Sequence, residues 1–491
     1  MSQRSVIVIG SGFAGMSAAS FMAREGWDVT VIEKHAQPGG RARQWIAEGF
    51  TFDMGPSFYW MPDVFERYFS SFGRKVSDYY SLHRLDPSYR IYWNEGYTDF
   101  PANYDALLKV FESIETGSAK KLEQYLKGAA YKYEVGMRRL VYKPGLSFTE
   151  FIDWPTIRGM FRLQVFSSIK KHIEHYFRHP HLRQVMEFPV LFLGALPGDT
   201  PALYSLMNYA DIKGGTWYPG GGMYAVVKGM YQMAKELGVK FRMEEEVTAL
   251  TVESGKVKEV VTTKNKYQPD IVISAADYQF TENNLLTEPY RTYSKKYWQS
   301  RVMAPSCLLY YVGLNKKIKQ RVHHALFFDS SFEKHGTEIY KNPQWPSEPL
   351  FYVSVSSVTD DAVAPTGNEN LVLLVPVASG LGGDTEELRE KYFNKIMDRL
   401  EKHWNEKIRD SIVYKKTYSV SDFVHDYNSF RGNAYGLANT LMQTANFRPS
   451  CRSRKVKNLF FTGQLTVPGP GVPPSLISGE VVAKQVVKAF K

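Results

Sequence analysis

The chain opens on a polar start that turns into four consecutive apolar residues, Val6-Ile-Val-Ile9, and then meets Gly10-Ser-Gly-Phe-Ala-Gly15. A short apolar run stopped by glycine predicts a buried strand over 5–9. The stretch after the turn predicts a helix over 16–26, with the small residues Ala18 and Ala19 on its packing side, and Asp28 to Glu33 predicts a second strand. Together they form a βαβ unit. From 103 to about 189 the texture changes to helical periods of charged and apolar residues over 104–114, 118–140 and 154–177, with few β-branched alternations. After Pro219-Gly-Gly-Gly222 the pattern predicts a helix to Leu237 and short strands at 240–243, 247–252, 257–263 and 271–274. Alternating runs at 308–312, 351–355 and 371–377, with a helix over 388–404, predict a sheet-bearing α+β region. The tail reads as a strand over 458–464, a Gly/Pro loop and a closing helix over 475–490.

A chain of 491 residues exceeds the roughly 250–300 at which single cores split, so several domains are expected. The fold class read from this order is α/β: a Rossmann-type nucleotide-binding domain, a mixed-sheet α+β substrate domain and a helical insertion. The nucleotide-binding domain is assigned 1–102, 214–290 and 426–491. The insertion takes 103–213 and the substrate domain 291–425.

Composition narrows the setting. Two cysteines, Cys307 and Cys451, exclude a disulfide scaffold and fit a reducing, cytoplasmic environment, with Cys307 in an apolar run read as a buried, inert thiol. The first residues already belong to a strand, so no cleaved leader is expected, and no run reaches the roughly 18 apolar residues of a spanning helix. A formal charge of +11 favours an anionic partner without separating nucleic acid from a lipid surface.

The glycine turn carries the first chemistry. Gly10 makes the turn, Gly12 allows close approach of a pyrophosphate, and Gly15 permits helix packing, with Phe13 and Ala14 between them. Glu33 ends the second strand, followed by Lys34, and its carboxylate is placed to accept hydrogen bonds from ribose hydroxyls. The segments Gln37-Pro-Gly39-Gly40-Arg41-Ala-Arg43 and Phe52-Asp-Met-Gly55-Pro56-Ser57 resemble a second signature of flavoproteins, and that resemblance implies FAD rather than a nicotinamide. Two glycines let the chain pass against the cofactor, and Arg41 supplies a fixed cationic fork for a phosphate or a flavin carbonyl. Near the C-terminus Phe460-Phe-Thr-Gly463-Gln464 leads to a Gly/Pro turn, Gly471-Val472-Pro-Pro-Ser475, and a helix that includes Leu476. The amides at that helix start are expected at the N1 and C2 carbonyl edge of an isoalloxazine, where they stabilise negative charge.

The two N-terminal segments resemble the amine oxidase and carotenoid desaturase branch of flavoproteins. Over most of its length the chain is similar to the bacterial-type carotenoid (phytoene) desaturase family, through Gly194 to Met207, Gly215 to Met230 and Thr466 to Pro474. The resemblance implies an FAD enzyme that removes hydrogens from a lipophilic carotenoid, phytoene or a later acyclic or monocyclic intermediate, including one hydroxylated at its end. It implies oxygen or a membrane quinone as terminal electron acceptor. It places the family's adenine-side contact on Val247 and a Ser-Ala-Ala-Asp turn on Asp277. It also puts an acidic residue proposed as catalytic base at Glu150, although Thr149 stands where an arginine is expected. Related readings are an amine oxidase, a carotenoid or retinol saturase or an isomerase; a non-enzyme reading is a chaperone of lipidated proteins, as in GDP dissociation inhibitors.

A carotenoid offers no charged handle, so its site is expected to be apolar, lined by rings such as Phe58, Tyr59, Trp60, Tyr204, Trp217 and Tyr218. The substrate lives in the bilayer, so the basic insertion, with Arg138, Arg139, Lys143, Arg158, Arg162, Lys170 and Lys171, is expected to touch the inner face of the membrane peripherally. No nucleic-acid partner is expected. His172, His175 and His179 share a helical face but lack a matching ligand set, so no metal is expected. The loop Ser379-Gly-Leu-Gly-Gly383 reads as a plain turn rather than a second phosphate cradle.

Overall fold

The computed structural model describes residues 4–151, 163, 164, 166–191 and 194–490. Arg158 and Arg162 of the expected basic surface, and the helix expected from 154 as far as 162, lie outside them.

The first sheet has five parallel strands in the order Leu459–Phe461, Ile271–Ser274, Ser5–Ile9, Asp28–Ile32, Lys240–Arg242. A parallel sheet covered on both faces needs unbroken apolar strands, and Val6, Val8, Val29, Val31, Val272 and Ile273 are all buried. On one face the helix Phe13–Arg24 packs against the closing helix Val472–Phe490. Gly479 makes that approach possible, because a Cβ there would sit 2.6 Å from the Ala14 carbonyl oxygen and the Ala18 nitrogen. Ser17 Oγ donates to the Leu476 carbonyl at 2.7 Å across the same contact.

The second sheet has seven strands in the order Ile412–Tyr418, Ser306–Leu314, Glu369–Val377, Phe351–Ser354, His324–Phe327, Tyr89–Tyr92, Tyr97–Phe100. Its last two strands come from the stretch that the sequence reading placed in the nucleotide domain. They join the mixed sheet because Ile91 pairs in register with Leu326. The helix Glu386–Trp404 covers one face, packing Phe393, Ile396, Met397 and Leu400 against Leu308, Tyr310, Leu371 and Leu373. The opposite face turns inward and carries a row in register across four strands: Leu309, Leu374, Tyr352 and Leu326.

The insertion is helical as expected, with Tyr104–Ile114, Ser118–Val135, Ile169–Tyr176 and Pro180–Leu191 packed through Phe111, Leu122, Tyr125, Ile173 and Phe177. Asp53, from the Phe52–Ser57 segment, joins two parts of the chain by accepting the Met223 and Tyr224 amides at 2.7 and 3.0 Å. It thereby satisfies two orphan donors at the start of the helix Met223–Glu236.

Candidate active site

A cavity of about 720 Å³ runs from the carboxyl ends of the parallel strands to the inward face of the mixed sheet and the helical insertion. Open α/β sheets bind ligands at that edge, and Ile9, Ile32 and Ala275, at or just past the ends of three strands, line the cavity.

The glycine turn behaves as its spacing demands. Gly10 has φ +95°, and Gly15 must lack a side chain because a Cβ would lie 2.0 Å from the Gly10 carbonyl oxygen. At Gly12 a Cβ would meet no protein atom within 4 Å. Gly12 lines the cavity, so the space it leaves is on the ligand side. Gly39 bridges Gly12 in parallel and its amide donates to the Ser11 carbonyl at 2.9 Å, which docks the Gly-Gly-Arg segment onto the turn. Glu33 is buried, and one of its oxygens accepts both the Ser11 amide and the Ser11 hydroxyl, at 2.8 and 2.7 Å.

Arg41 donates from Nη2 to Ser429 Oγ and the Asn433 carbonyl at 3.1 and 3.2 Å, while its buried Nε has no partner among the described residues. Lys34, Gly40, Phe13, Ala14, Gly55, Pro56, Ser57, Val247, Asp277, Gly463, Gln464, Gly471 and Val472 line the same cavity. Asp277 accepts the Phe280 and Phe430 amides, so its carboxylate organises the turn around Arg41. A glycine cradle open toward the cavity, a buried acid for ribose hydroxyls and an unpaired guanidinium nitrogen together fit FAD.

The structure changes four expectations. Leu476 does not line the cavity and is buried between helices; Gly15, also outside the lining, serves the packing expected of it and does not reach the cofactor side. The start of the closing helix offers fewer amides than its sequence suggested, since Pro473 and Pro474 have none and the Ser475 amide donates to the Gly471 carbonyl at 3.0 Å. Val472, which lines the cavity, still carries an amide there. Of the six rings, Phe58, Trp60 and Tyr204 line the cavity and Tyr59, Trp217 and Tyr218 do not. Tyr59 stacks on Phe65, Trp217 donates to the Gly214 carbonyl, and Tyr218 donates to Asp360. Glu150 is also absent from the lining. Its carboxylate accepts the amides of Gly145, Leu146 and Ser147 at 2.9, 3.0 and 3.1 Å, which makes it the organiser of a turn.

Sequence reasoning missed Ser11, whose hydroxyl type at the second turn position was the available signal. It also missed Tyr340, Tyr352 and Tyr435, which line the far half beside Cys307. Burial pushes the Cys307 thiol up to about 12, in keeping with the inert thiol expected. In that half the insertion contributes Met137, Leu140, Val141, Phe188, Leu203 and Met207, and the only charged lining residue it adds among those described is Lys143.

The chain is similar to known flavoproteins along nearly its whole length. Residues 13–487 match the model of the flavin containing amine oxidoreductase family. A carotenoid 3,4-desaturase of Haloarcula japonica is 41% identical, covering 99% of each chain. A zeta-carotene-forming phytoene desaturase of Myxococcus xanthus is 30% identical, covering 99% of this chain and 94% of the relative. Among solved structures, an oxidoreductase from Methanosarcina mazei shares the fold, with a TM-score of 0.65 at 14% identity over 98% of this chain and 100% of that one. With its FAD cradle and its match to both relatives along nearly the whole chain, the protein belongs to the carotenoid desaturase family of flavin-containing amine oxidoreductases.

Proposed function

We propose that this chain is an FAD-dependent carotenoid desaturase and that, at finer grain, it acts as a 3,4-desaturase on an acyclic or monocyclic carotenoid, including a 1-hydroxylated one. The observation that carries the desaturase reading is the continuity of the FAD cradle with a largely apolar chamber whose described lining outside the cradle holds no carboxylate. An amine substrate brings a cation and favours a carboxylate opposite it, whereas the described lining from the insertion and from 305–423 includes no carboxylate. A hydrocarbon needs only shape and apolar surface. The 41% identity to a carotenoid 3,4-desaturase supports the finer choice.

Bound FAD supplies the two-electron acceptor. Ser11 holds the Glu33 carboxylate in place for the ribose, Arg41 offers its free Nε, and Val472 offers its amide at the positive end of the closing helix. Phe58, Trp60 and Tyr204 exclude water from the reacting carbons and present ring faces that stabilise transient positive charge.

The segments 137–143 and 439–445 both contribute lining residues to the chamber. Leu146, Leu441, Met442 and Phe447 are exposed within or beside them, and Gly145 sits against Ala445, so the two segments adjoin. Arg138 and Arg139 are exposed on the turn whose Met137 and Leu140 line the cavity. Apolar side chains beside cations suit an anionic bilayer surface. No helix among the described residues is long and apolar enough to cross a membrane, so the proposed association is peripheral, on the cytoplasmic face, with oxygen or a membrane quinone as terminal acceptor.

The test is to incubate the purified protein with FAD and liposomes carrying either phytoene or a 1-hydroxylated γ-carotene-like substrate, and to follow absorbance and chromatography. A red shift with the hydroxylated carotenoid alone is the expected result. A shift with phytoene would move the protein to early, multi-step desaturation. Reducible flavin with no shift for either would overturn the desaturase reading.

A further inference from the structure

Forming a carbon–carbon double bond from two adjacent C–H groups releases a hydride and a proton. The hydride has its acceptor in FAD; the proton needs one from the chain. Glu150 is occupied at its turn and away from the cavity. His335 lines the chamber but both nitrogens are engaged, with the Leu350 amide donating to Nδ1 at 2.9 Å and Nε2 bonded to the Pro376 carbonyl at 2.9 Å.

Tyr352 is different. It is the one polar residue in the cross-strand row Leu309, Leu374, Tyr352, Leu326 on the chamber floor. Its hydroxyl is 2.6 Å from His324 Nδ1, on the neighbouring strand, and Ser57 of the Gly55–Ser57 segment lies within reach of the same hydroxyl. Phe58 stacks over the His324 ring at 4.1 Å. The pair therefore abuts the Gly55–Ser57 segment assigned to FAD binding. His324 is fully buried, and its Nε2 has no hydrogen-bond partner among the described residues. A buried polar atom left unpaired is costly, and in native structures it calls for a role beyond packing.

We propose, resting on the desaturase reading, that Tyr352 backed by His324 accepts the proton lost by the carotenoid. In this step one C–H pair departs with its hydrogen as hydride to FAD. The adjacent C–H pair becomes the new π bond, and its proton goes to Tyr352 Oη as the tyrosine's own proton passes to His324 Nδ1. Tyr352 is the catalytic residue, and His324, in the tautomer with its proton on Nε2, is the positioning and relay residue. Burial lowers the basicity of His324 well below the ordinary range, which keeps it neutral at rest. A carbon next to an allylic cation is so acidic that a weak base suffices.

The test uses Tyr352→Phe and His324→Asn. The asparagine keeps an acceptor near the Nδ1 position but takes no proton. Both variants are expected to retain FAD affinity and melting temperature while anaerobic bleaching of bound flavin by a carotenoid in liposomes slows about 100-fold. Separately, the apoprotein is expected to bind a long isoprenoid tertiary amine, protonated and cation-like, more tightly than its hydrocarbon isostere. Tyr352→Phe should erase about tenfold of that preference. Bleaching within a few-fold of wild type, loss of FAD affinity or melting temperature in step with bleaching, or an intact amine preference would overturn the proposal. Wild-type flavin that no carotenoid bleaches would instead overturn the desaturase reading itself.

Discussion

Ser11 and Glu33 are joined twice: the amide and the hydroxyl of Ser11 both donate to a single Glu33 oxygen, at 2.8 and 2.7 Å. The bond pair ties the glycine turn to the end of the neighbouring strand and aims a buried carboxylate before any ribose arrives. Hydrogen bonds to charged groups contribute about 1.5–3 kcal/mol, so Glu33→Ala is expected to weaken FAD binding by about tenfold or more. Ser11→Ala, which leaves the acid but loosens it, should cost less. Flavin titration by calorimetry measures both, and an unchanged affinity in Glu33→Ala would refute the ribose assignment.

Gly12 and Gly15 separate binding from folding. A Cβ at Gly12 enters open space on the cavity side, so Gly12→Ala should melt like wild type and lose FAD. A Cβ at Gly15 collides with the Gly10 carbonyl oxygen at 2.0 Å, which only a backbone shift relieves. Gly15→Ala should therefore lose about 2 kcal/mol or more of stability, seen as a lower melting temperature even without cofactor.

Glu150 offers a direct comparison with the base expected from the resemblance. Its carboxylate holds three amides of the turn 145–147 and does not face the chamber. Glu150→Gln should leave the rate of anaerobic flavin reduction by bound carotenoid within about twofold of wild type. A loss of the size a general base supplies, about 100-fold or more, would restore Glu150 to the chemistry.

Asp211 gives a pH dependence with a defined sign. It is buried and accepts from Tyr89 and Thr216 at 2.9 and 3.2 Å, and burial pushes its carboxyl up to about 7. The folded state thus holds the proton more tightly than the unfolded chain, whose aspartate titrates near 3.9. The stability linked to this group is fully present below about pH 4 and is lost as pH rises through about 7. Asp211→Asn should narrow the difference in melting temperature between pH 5 and pH 8, and an unchanged pH profile would refute the assignment.

Met442 and Phe447, exposed on either side of the lining residues Thr444 and Ala445, are expected to enter the lipid interface. Met442→Glu combined with Phe447→Glu should release the protein from anionic liposomes in a flotation assay while leaving its bound flavin spectrum unchanged. Flotation equal to wild type would show that another face meets the membrane.

By itself the sequence determined the βαβ unit and its glycine turn, because such a turn is local: Gly10, Gly12, Gly15 and Glu33 lie within one unit whose strands and glycines are written in consecutive residues. It also announced both sheets and the helical insertion through their periodicities. Tertiary structure alone decided what fills the far half of the cavity. Strand register placed Tyr352 between Leu374 and Leu326 and set His324 beside it, a relation between strands that no spacing along the chain encodes. The same holds for the two tyrosine-rich strands from 89 to 100, which read as part of the nucleotide domain until pairing with His324–Phe327 carried them to the mixed sheet. Glu150 could be proposed from its position in the chain, but only the folded turn showed that its carboxylate serves the amides of Gly145, Leu146 and Ser147. Local backbone chemistry is legible in order along the chain; contacts between distant segments follow from burial and register, which the folded chain alone defines.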